Sequence, residues 1–423
     1  MRIPSRIPSF NLKLDLNLGR RSGADVVGLD IQPGLVAAVQ ARVNGSILAE
    51  RAAALPLEAD TVRDGEVADE AALSEVLREL FKTSGLSKHV RIGVANQRTV
   101  LRTLELPPVT DRKELAAAVS FQAQDQVPMP LSNAVLDFHP LGIIDTPDGP
   151  RQRVVLVAAQ RDMVERLLAA VRGAGLTPAG VDLSAFALIR CLYRPDPEQS
   201  GRVLYLNVDG LTNLAIAEGT VCRFTRVVGS GLEGMASELA MRRSVALAEA
   251  RTLLGAVDLT AAPIPEPQAL PEEPRVEAAQ EELASVELAP EAGAIESYED
   301  HEAREAAMSY EEMSEPVQAP EAAGPPSDAE VREVLENGIR ELSGEVRNSL
   351  DFHRSQDGGG EVAHIVLSGA AQDIPGFAEA LQASVGVEVH SESVGLLDGR
   401  LSGSVSTHRL AVAAGLATTE APQ

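Results

Sequence analysis

The pattern of apolar and polar positions divides the chain into short strands and helices. Residues 26–55 read as three strands, VVGLDI, LVAAVQAR and ILAERAAAL, separated by Gln32-Pro33-Gly34 and by Asn44-Gly45. Asn-Gly between apolar alternations is a strong hairpin signal, because both turn positions favour positive φ. Residues 69–84 put Leu73, Val76, Leu77 and Leu80 on one helical face. A short strand follows at 90–94. Residues 100–106 alternate roughly apolar and polar, as a half-buried strand does, and Pro107-Pro108 stops them. Thr110 is the expected N-cap of a helix that runs to about Gln126, where Pro128 and Pro130 forbid continuation. A strand at 135–141 completes a small α/β unit. Then come a buried-type strand at 154–159, an amphipathic helix at 163–174 ended by Gly175, a strand in LTPAGVDL and a helix at 184–192.

The opening pattern then recurs. Residues 203–228 run VLYLNV, the turn Asp209-Gly210, LTNLAIAEG and VCRFTRVV. Strand, tight turn, strand, turn, strand occurs at 26 and again at 203, an internal repeat that predicts two similar lobes. Residues 229–254 are helical. A long helix at 329–352 carries Val331, Val334, Leu335, Ile339, Leu342, Val346 and Leu350 on one face. After Gly358-Gly359-Gly360 a strand at 364–368 enters Gly369, Ile374-Pro375-Gly376-Phe377 opens another helix, and 408–417 form a last one.

Composition adds boundaries. The 423 residues exceed what one compact core usually holds. Trp is absent and aromatics are 3%, so the cores must be built from Leu, Val and Ala. The two cysteines, Cys191 and Cys222, are isolated, which predicts small core residues in a reduced, cytoplasmic chain. A net charge of −25 argues against nucleic acid as a partner. About 16 of those negative charges fall in residues 260–328, where 18 acidic residues face only Arg275 and Arg304. That segment is rich in Pro, Ala and Glu and predicts a disordered insertion, with a transient helix at 295–313. Residues 1–23 carry Arg2, Arg6, Lys13, Arg20 and Arg21 and alternate Leu12, Leu14, Leu16 and Leu18. They read as a flexible arm, as a strand that adds to a sheet edge, or as a basic arm near an anionic membrane. No apolar run approaches the length of a membrane span, and the N-terminus has no signal-peptide core.

The LELPP turn, the helix after it, the VPMPL stop and the VLDFHPLG strand resemble the type IV pilus assembly PilM family. So do VVLVAAQRDMVERLLAAVRGAGLTPAGVDLSAFAL and HRLAVAAGLA. The resemblance runs from about 24 to 417, with one gap at the acidic insertion. It implies an actin-like, FtsA-related α/β fold: two lobes of ribonuclease-H-like βββαβα repeats with an inserted small α/β subdomain. The expected layout is a first lobe at 24–94 and 180–199, the subdomain at 95–179, and a second lobe at 200–259 and 329–417. It also implies a cytoplasmic scaffold, peripheral to the inner face of the cell membrane, in a pilus or related secretion platform. The partner implied is the N-terminal tail of a PilN-like bitopic membrane protein, together with other platform proteins; self-association stays open. The expected groove lies beside the small subdomain, its surface built from 94–106 and the helix 114–126, with Leu104, Val119, Phe121 and Val127 as pocket residues.

The same resemblance locates a nucleotide site for Mg-ATP. Asp30 in GLDI matches the acidic residue that holds hydrated Mg²⁺ in the first turn, and Gly34 stands in the turn that meets the phosphates. Gly34 is flanked by Pro33, which has no N–H, and by Leu35, which has no hydroxyl. In the second turn Asn207 stands where the family has an acidic residue and Asp209 where it has glycine, followed by Gly210 and Thr212. A carboxylate at Asp209 repels phosphates. After Gly369, Ala370 and Ala371 replace further glycine at the adenosine segment. Each lost charge-assisted contact costs on the order of 1.5–3 kcal/mol, so three weaken binding by roughly three orders of magnitude. The expectation is a degenerate nucleotide site and no catalytic residue. The alternatives are an active Mg-ATPase of the same superfamily and an FtsA-like division protein. Asn207 argues against the first. The second would carry an amphipathic membrane helix, which the sequence after Leu416 does not contain. No Walker loop, G-x-S-x-G or metal-spaced histidine pair occurs.

Overall fold

The computed structural model describes residues 26–195, 201–261, 328–356, 358–397 and 405–419. The N-terminal arm and nearly all of the acidic insertion, including 295–313, lie outside them. Three strands open the chain as an antiparallel meander: β1 (Val27–Gln32), β2 (Leu35–Asn44) and β3 (Ser46–Pro56). Gly45 sits in the β2–β3 turn at φ 68°, as the Asn-Gly pair predicts. A minimal hairpin, β4 (Val62–Arg63) and β5 (Glu66–Val67), leads to helix α1 (Glu70–Ser84). Asp69 caps α1 by accepting the Ala72 N–H, and Gly85 ends it in the left-handed region. Strand β6 (His89–Val94) then pairs parallel with β1.

The small unit follows. Its strands are β7 (Val100–Leu106), β8 (Ala134–Thr146) and β9 (Gly149–Gln160), ordered β7-β9-β8 and covered by helix α2 (Arg112–Gln126). The cap of α2 is Asp111 rather than Thr110. Its carboxylate accepts the N–H groups of both Lys113 and Glu114, and the charge also suits the positive end of the helix. Val100, Leu104, Leu106, Leu115, Val119, Ala123, Val127, Val154, Leu156 and Ala158 form a core of their own. Each fully buried Val or Leu contributes on the order of 1.5–3 kcal/mol.

Helix α3 (Arg161–Gly173) and strand β10 (Thr177–Leu183) return to the first lobe: α3 packs on α1, and β10 pairs parallel with β6. The expected layout places 161–179 in the small unit, and the structure differs. Met163, Val164, Leu167 and Leu168 enter the large core, since the apolar stripe of α3 meets α1. Helix α4 (Ser184–Leu192) leads to the second lobe.

There the meander repeats as β11 (Arg202–Val208), β12 (Thr212–Glu218) and β13 (Val221–Val228). Two helices, α5 (Leu232–Arg243) and α6 (Leu247–Gly255), divide the helical stretch at Ser244, which takes φ 54°. The long helix α7 (Asp328–Ser355) buries its stripe from Val331 to Val346. Strand β14 (Val362–Ser368), helix α8 (Phe377–Val385) and strand β15 (Val389–Ser391) complete the lobe. The second sheet reads β13-β12-β11-β14-β15; the first reads β3-β2-β1-β6-β10, extended at β3 by β16 (Gly395–Leu396). Third, second, first, then two parallel strands is the same order twice. This is the actin-like two-lobed architecture with an inserted small α/β unit.

The chain closes with helix α9 (Ala411–Leu416), which leaves the second lobe and packs on β1 and α4. The expected layout puts it in the second lobe; an all-apolar helix carries no periodic signal of which core it enters. A Cβ on Gly28 would overlap the Ala413 carbonyl oxygen, and one on Gly415 would overlap that of Ala187. Gly415→Ala should therefore lower stability by about 1–3 kcal/mol or more. Gly255→Ala, at a helix position with open space, should be neutral or slightly stabilising. Urea unfolding of both variants checks this.

Candidate functional site

The two meander turns meet between the lobes. Pro33 and Gly34 come from β1–β2, and Asp209 and Gly210 from β11–β12. They are in direct backbone contact: a Cβ on Gly210 would overlap the Pro33 carbonyl oxygen. Beside this contact opens a cleft of about 540 Å³, lined by both turns, by Arg251 and Thr252 of α6, and by Ala370, Asp373, Ile374 and Arg409. That volume suits a small-molecule site.

The cleft wall is charged, and the charges neutralise one another. Arg251 of α6 pairs with Glu233 of α5 and reaches the Leu57 carbonyl of the first lobe at 3.5 Å. Arg409 stands 3.7 Å from Asp209 and 3.8 Å from Asp373. Burial raises the Asp209 pKa, while Arg409 and the N–H groups of Ala370 and Gly210 oppose the rise.

Of the residues the sequence singled out, Pro33, Gly34, Leu35, Asp209, Gly210 and Ala370 line this cleft. The others sit behind it. Asp30 is buried and accepts a hydrogen bond from Gln32 Nε2 at 2.8 Å. Asn207 is buried in β11, opposite Asn213 of β12 and Ser368 of β14. The Thr212 hydroxyl is used on the Ser230 carbonyl. Gly369, at φ 97°, passes so close to Val208 that a Cβ would overlap its carbonyl oxygen. Arg251, Asp373 and Arg409 escaped sequence reasoning, because they arrive from helices and turns remote from either meander.

The groove residues fare differently. Leu104, Val119 and Val127 are sealed in the small core, so they cannot form a surface pocket. Phe121 alone of the four is outside, 74% exposed on α2. A buried stripe at helical spacing looks the same whether it faces a core or a groove. The cavity beside the small unit lies elsewhere. It measures about 60 Å³ and is lined by His139 and Leu141 of β8, Val155 of β9, Phe186 and Arg190 of α4, and Thr220, Val221 and Cys222 at the β12–β13 turn. That is several times the room one water needs and suits one aliphatic side chain. Burial lowers the His139 pKa, which favours the neutral ring. It pushes the Cys222 thiol up to about 12, so the thiol is protonated and unreactive. Arg190 is turned onto Asp182 and onto the Gly415 carbonyl. An arginine inside the apolar helix SAFALIRCL, close after the Asp of GVDL, was the sequence signal for that buried pair.

Residues 28–202 match the family of the type IV pilus assembly protein PilM. The PilM match covers the small unit and the first lobe as far as α4. The chain is also similar to the solved PilM–PilN type IV pilus biogenesis complex. Identity there is 22%, with 93% of this chain and 97% of that chain covered at a TM-score of 0.65. Looser likeness extends to the ethanolamine utilization protein EutJ from Carboxydothermus hydrogenoformans (13% identity, 92% and 88% covered, TM-score 0.45). It extends also to MreB5 of Spiroplasma citri bound to ADP (11%, 92% and 94%, 0.44). The second lobe, beyond the PilM match, repeats the topology of the first.

Burial, with the Asp209 charge nearby, raises the Asp30 carboxyl from its ordinary 3.8 to about 7. The native carboxyl thus keeps a proton that the unfolded chain releases near 3.8, so stability falls as pH rises from about 4 to about 7. Asp30→Asn should retain the Gln32 bond, flatten that slope and raise the melting temperature at pH 8 more than at pH 5. Thermal melts across this pH range measure both effects.

Proposed function

We propose that this chain is an actin-like scaffold of a type IV pilus, or related secretion, assembly platform at the inner face of the cell membrane. In this reading it holds the N-terminal tail of a PilN-like bitopic membrane protein. The family match over 28–202 and the similarity to a solved chain of a PilM–PilN type IV pilus biogenesis complex support it. The observation that carries it is the cavity between β8, β9, α4 and the β12–β13 turn. The cavity is largely apolar and sized for one aliphatic side chain, and it lies where three units of the fold converge. A tail laid across them anchors by that side chain and gains specificity from the backbone around it. Among the described residues no helix is long and apolar enough to cross a membrane, so in this reading the membrane attachment comes from the partner.

The cleft, in the same reading, is a degenerate nucleotide site. It has room for a nucleoside. The two turns that would face the phosphates touch each other, Asp209 adds a carboxylate to the cleft lining, and Arg251 and Arg409 are already committed to carboxylates. Asp30 would be the residue nearest to a Mg²⁺ role, and its raised pKa makes it a weaker ligand. No hydrolytic step is assigned.

The test uses a synthetic peptide of the partner's cytoplasmic N-terminal tail, titrated onto the full chain by fluorescence anisotropy. Val221→Glu puts a charge at the cavity wall and should weaken binding at least about tenfold, equivalent to roughly 1.4 kcal/mol. Phe121→Ala should leave it unchanged. The opposite pattern would move the groove to the outer face of α2.

A further inference from the structure

The segment 406–409 joins the two lobes at the floor of the cleft. It precedes α9, which is fixed in the first lobe: Arg91 and Arg190 donate to the Leu416, Thr418 and Gly415 carbonyls. Yet the side chains of 406, 408 and 409 point at the second lobe. The Ser406 hydroxyl donates to Asp373 Oδ1 at 2.7 Å, and His408 Nδ1 lies 3.0 Å from the same oxygen. Arg409 stands at 3.8 Å from Asp373 Oδ2 and 3.7 Å from Asp209 Oδ1. The main chain joins in: the Gly369 N–H and the Ser368 hydroxyl both donate to the His408 carbonyl, at 3.0 and 3.3 Å. One carboxylate of the second lobe therefore receives three side chains from a strap that belongs to the first.

We propose that this strap is a built-in clamp that holds the two lobes closed, with Arg409 supplying the cation that balances Asp209 on the cleft wall. Asp209 is buried and lines the cleft, and a buried carboxylate without a cation is costly. Arg409 meets that need from within the chain, so closure does not wait for a bound cation or nucleotide. Any cationic ligand entering the cleft has to displace Arg409 from Asp209. Asp373 is the strap's anchor, fixing Ser406 and His408 immediately before Arg409. The clamp stands whether or not a partner tail binds beside the small unit.

Hydrogen exchange of the full chain, without nucleotide or partner, tests it. Asp373 is partly exposed, so Asp373→Asn removes the anchor's charge with little change in packing. Ser406→Ala is a milder second variant. With charge-assisted bonds lost, the amides of Gly369 and of the Asp209-Gly210 turn should exchange about tenfold to a hundredfold faster in Asp373→Asn. The amides of α9 should be unchanged. Ser406→Ala should show the same pattern at smaller amplitude. Unchanged exchange at Gly369 and Gly210 in both variants overturns the clamp. Equal acceleration of α9 overturns it as well, since the segment would then be supporting the whole fold rather than the lobe closure.

Discussion

The close approach of α9 to β1 and α4 is the constraint on which the rest depends. Two glycines permit it. Gly28 lets β1 lie against the main chain of α9, and Gly415 lets α9 lie against that of α4. The buried pair Arg190–Asp182 then ties β10, α4 and α9 together, with the Gly415 carbonyl as a further acceptor. Such a pair is expensive to desolvate and is kept only where its hydrogen bonds are filled; here both partners are engaged. Because α4 also packs on β11 and β12, this knot sets the angle between the lobes.

Two consequences follow from the knot. On one side, α4 presents Phe186 and Arg190 toward the small unit and the β12–β13 turn, and so creates the apolar cavity. On the other side, the chain entering α9 must cross the cleft floor, which delivers Arg409 to Asp209. The cavity and the cleft are thus built on opposite ends of the same packed elements. On the cleft wall the arginines are balanced by carboxylates from within the chain.

Much of this architecture was legible in the sequence. The Asn-Gly turn, the Pro-bounded helix α2 and the repeated meander each rest on local backbone chemistry, and local chemistry is what one sequence displays. The cap of α2 differs by one residue because Thr110 and Asp111 are both cap residues, and only geometry decides whose oxygen reaches two N–H groups. The limits of the small unit differ because α3 announces an apolar face without naming its partner, α1. Leu104, Val119 and Val127 look like pocket residues for the same reason. The turns around Gly34 and Gly210 are visible from their glycines. Arg251, Asp373 and Arg409 are not, because ion pairs between remote segments leave no periodic trace.

In the proposed reading this actin-like shape is held by its own side chains and not by a nucleotide. That claim is tested most directly by the melting temperature of the full chain with and without millimolar Mg-ATP. A ligand at a hundred times its Kd adds about 2.7 kcal/mol, enough to move the melt by a few degrees. The expected result is no shift. A clear upward shift that disappears in Asp30→Ala would contradict the claim and return the cleft to service as a working nucleotide site.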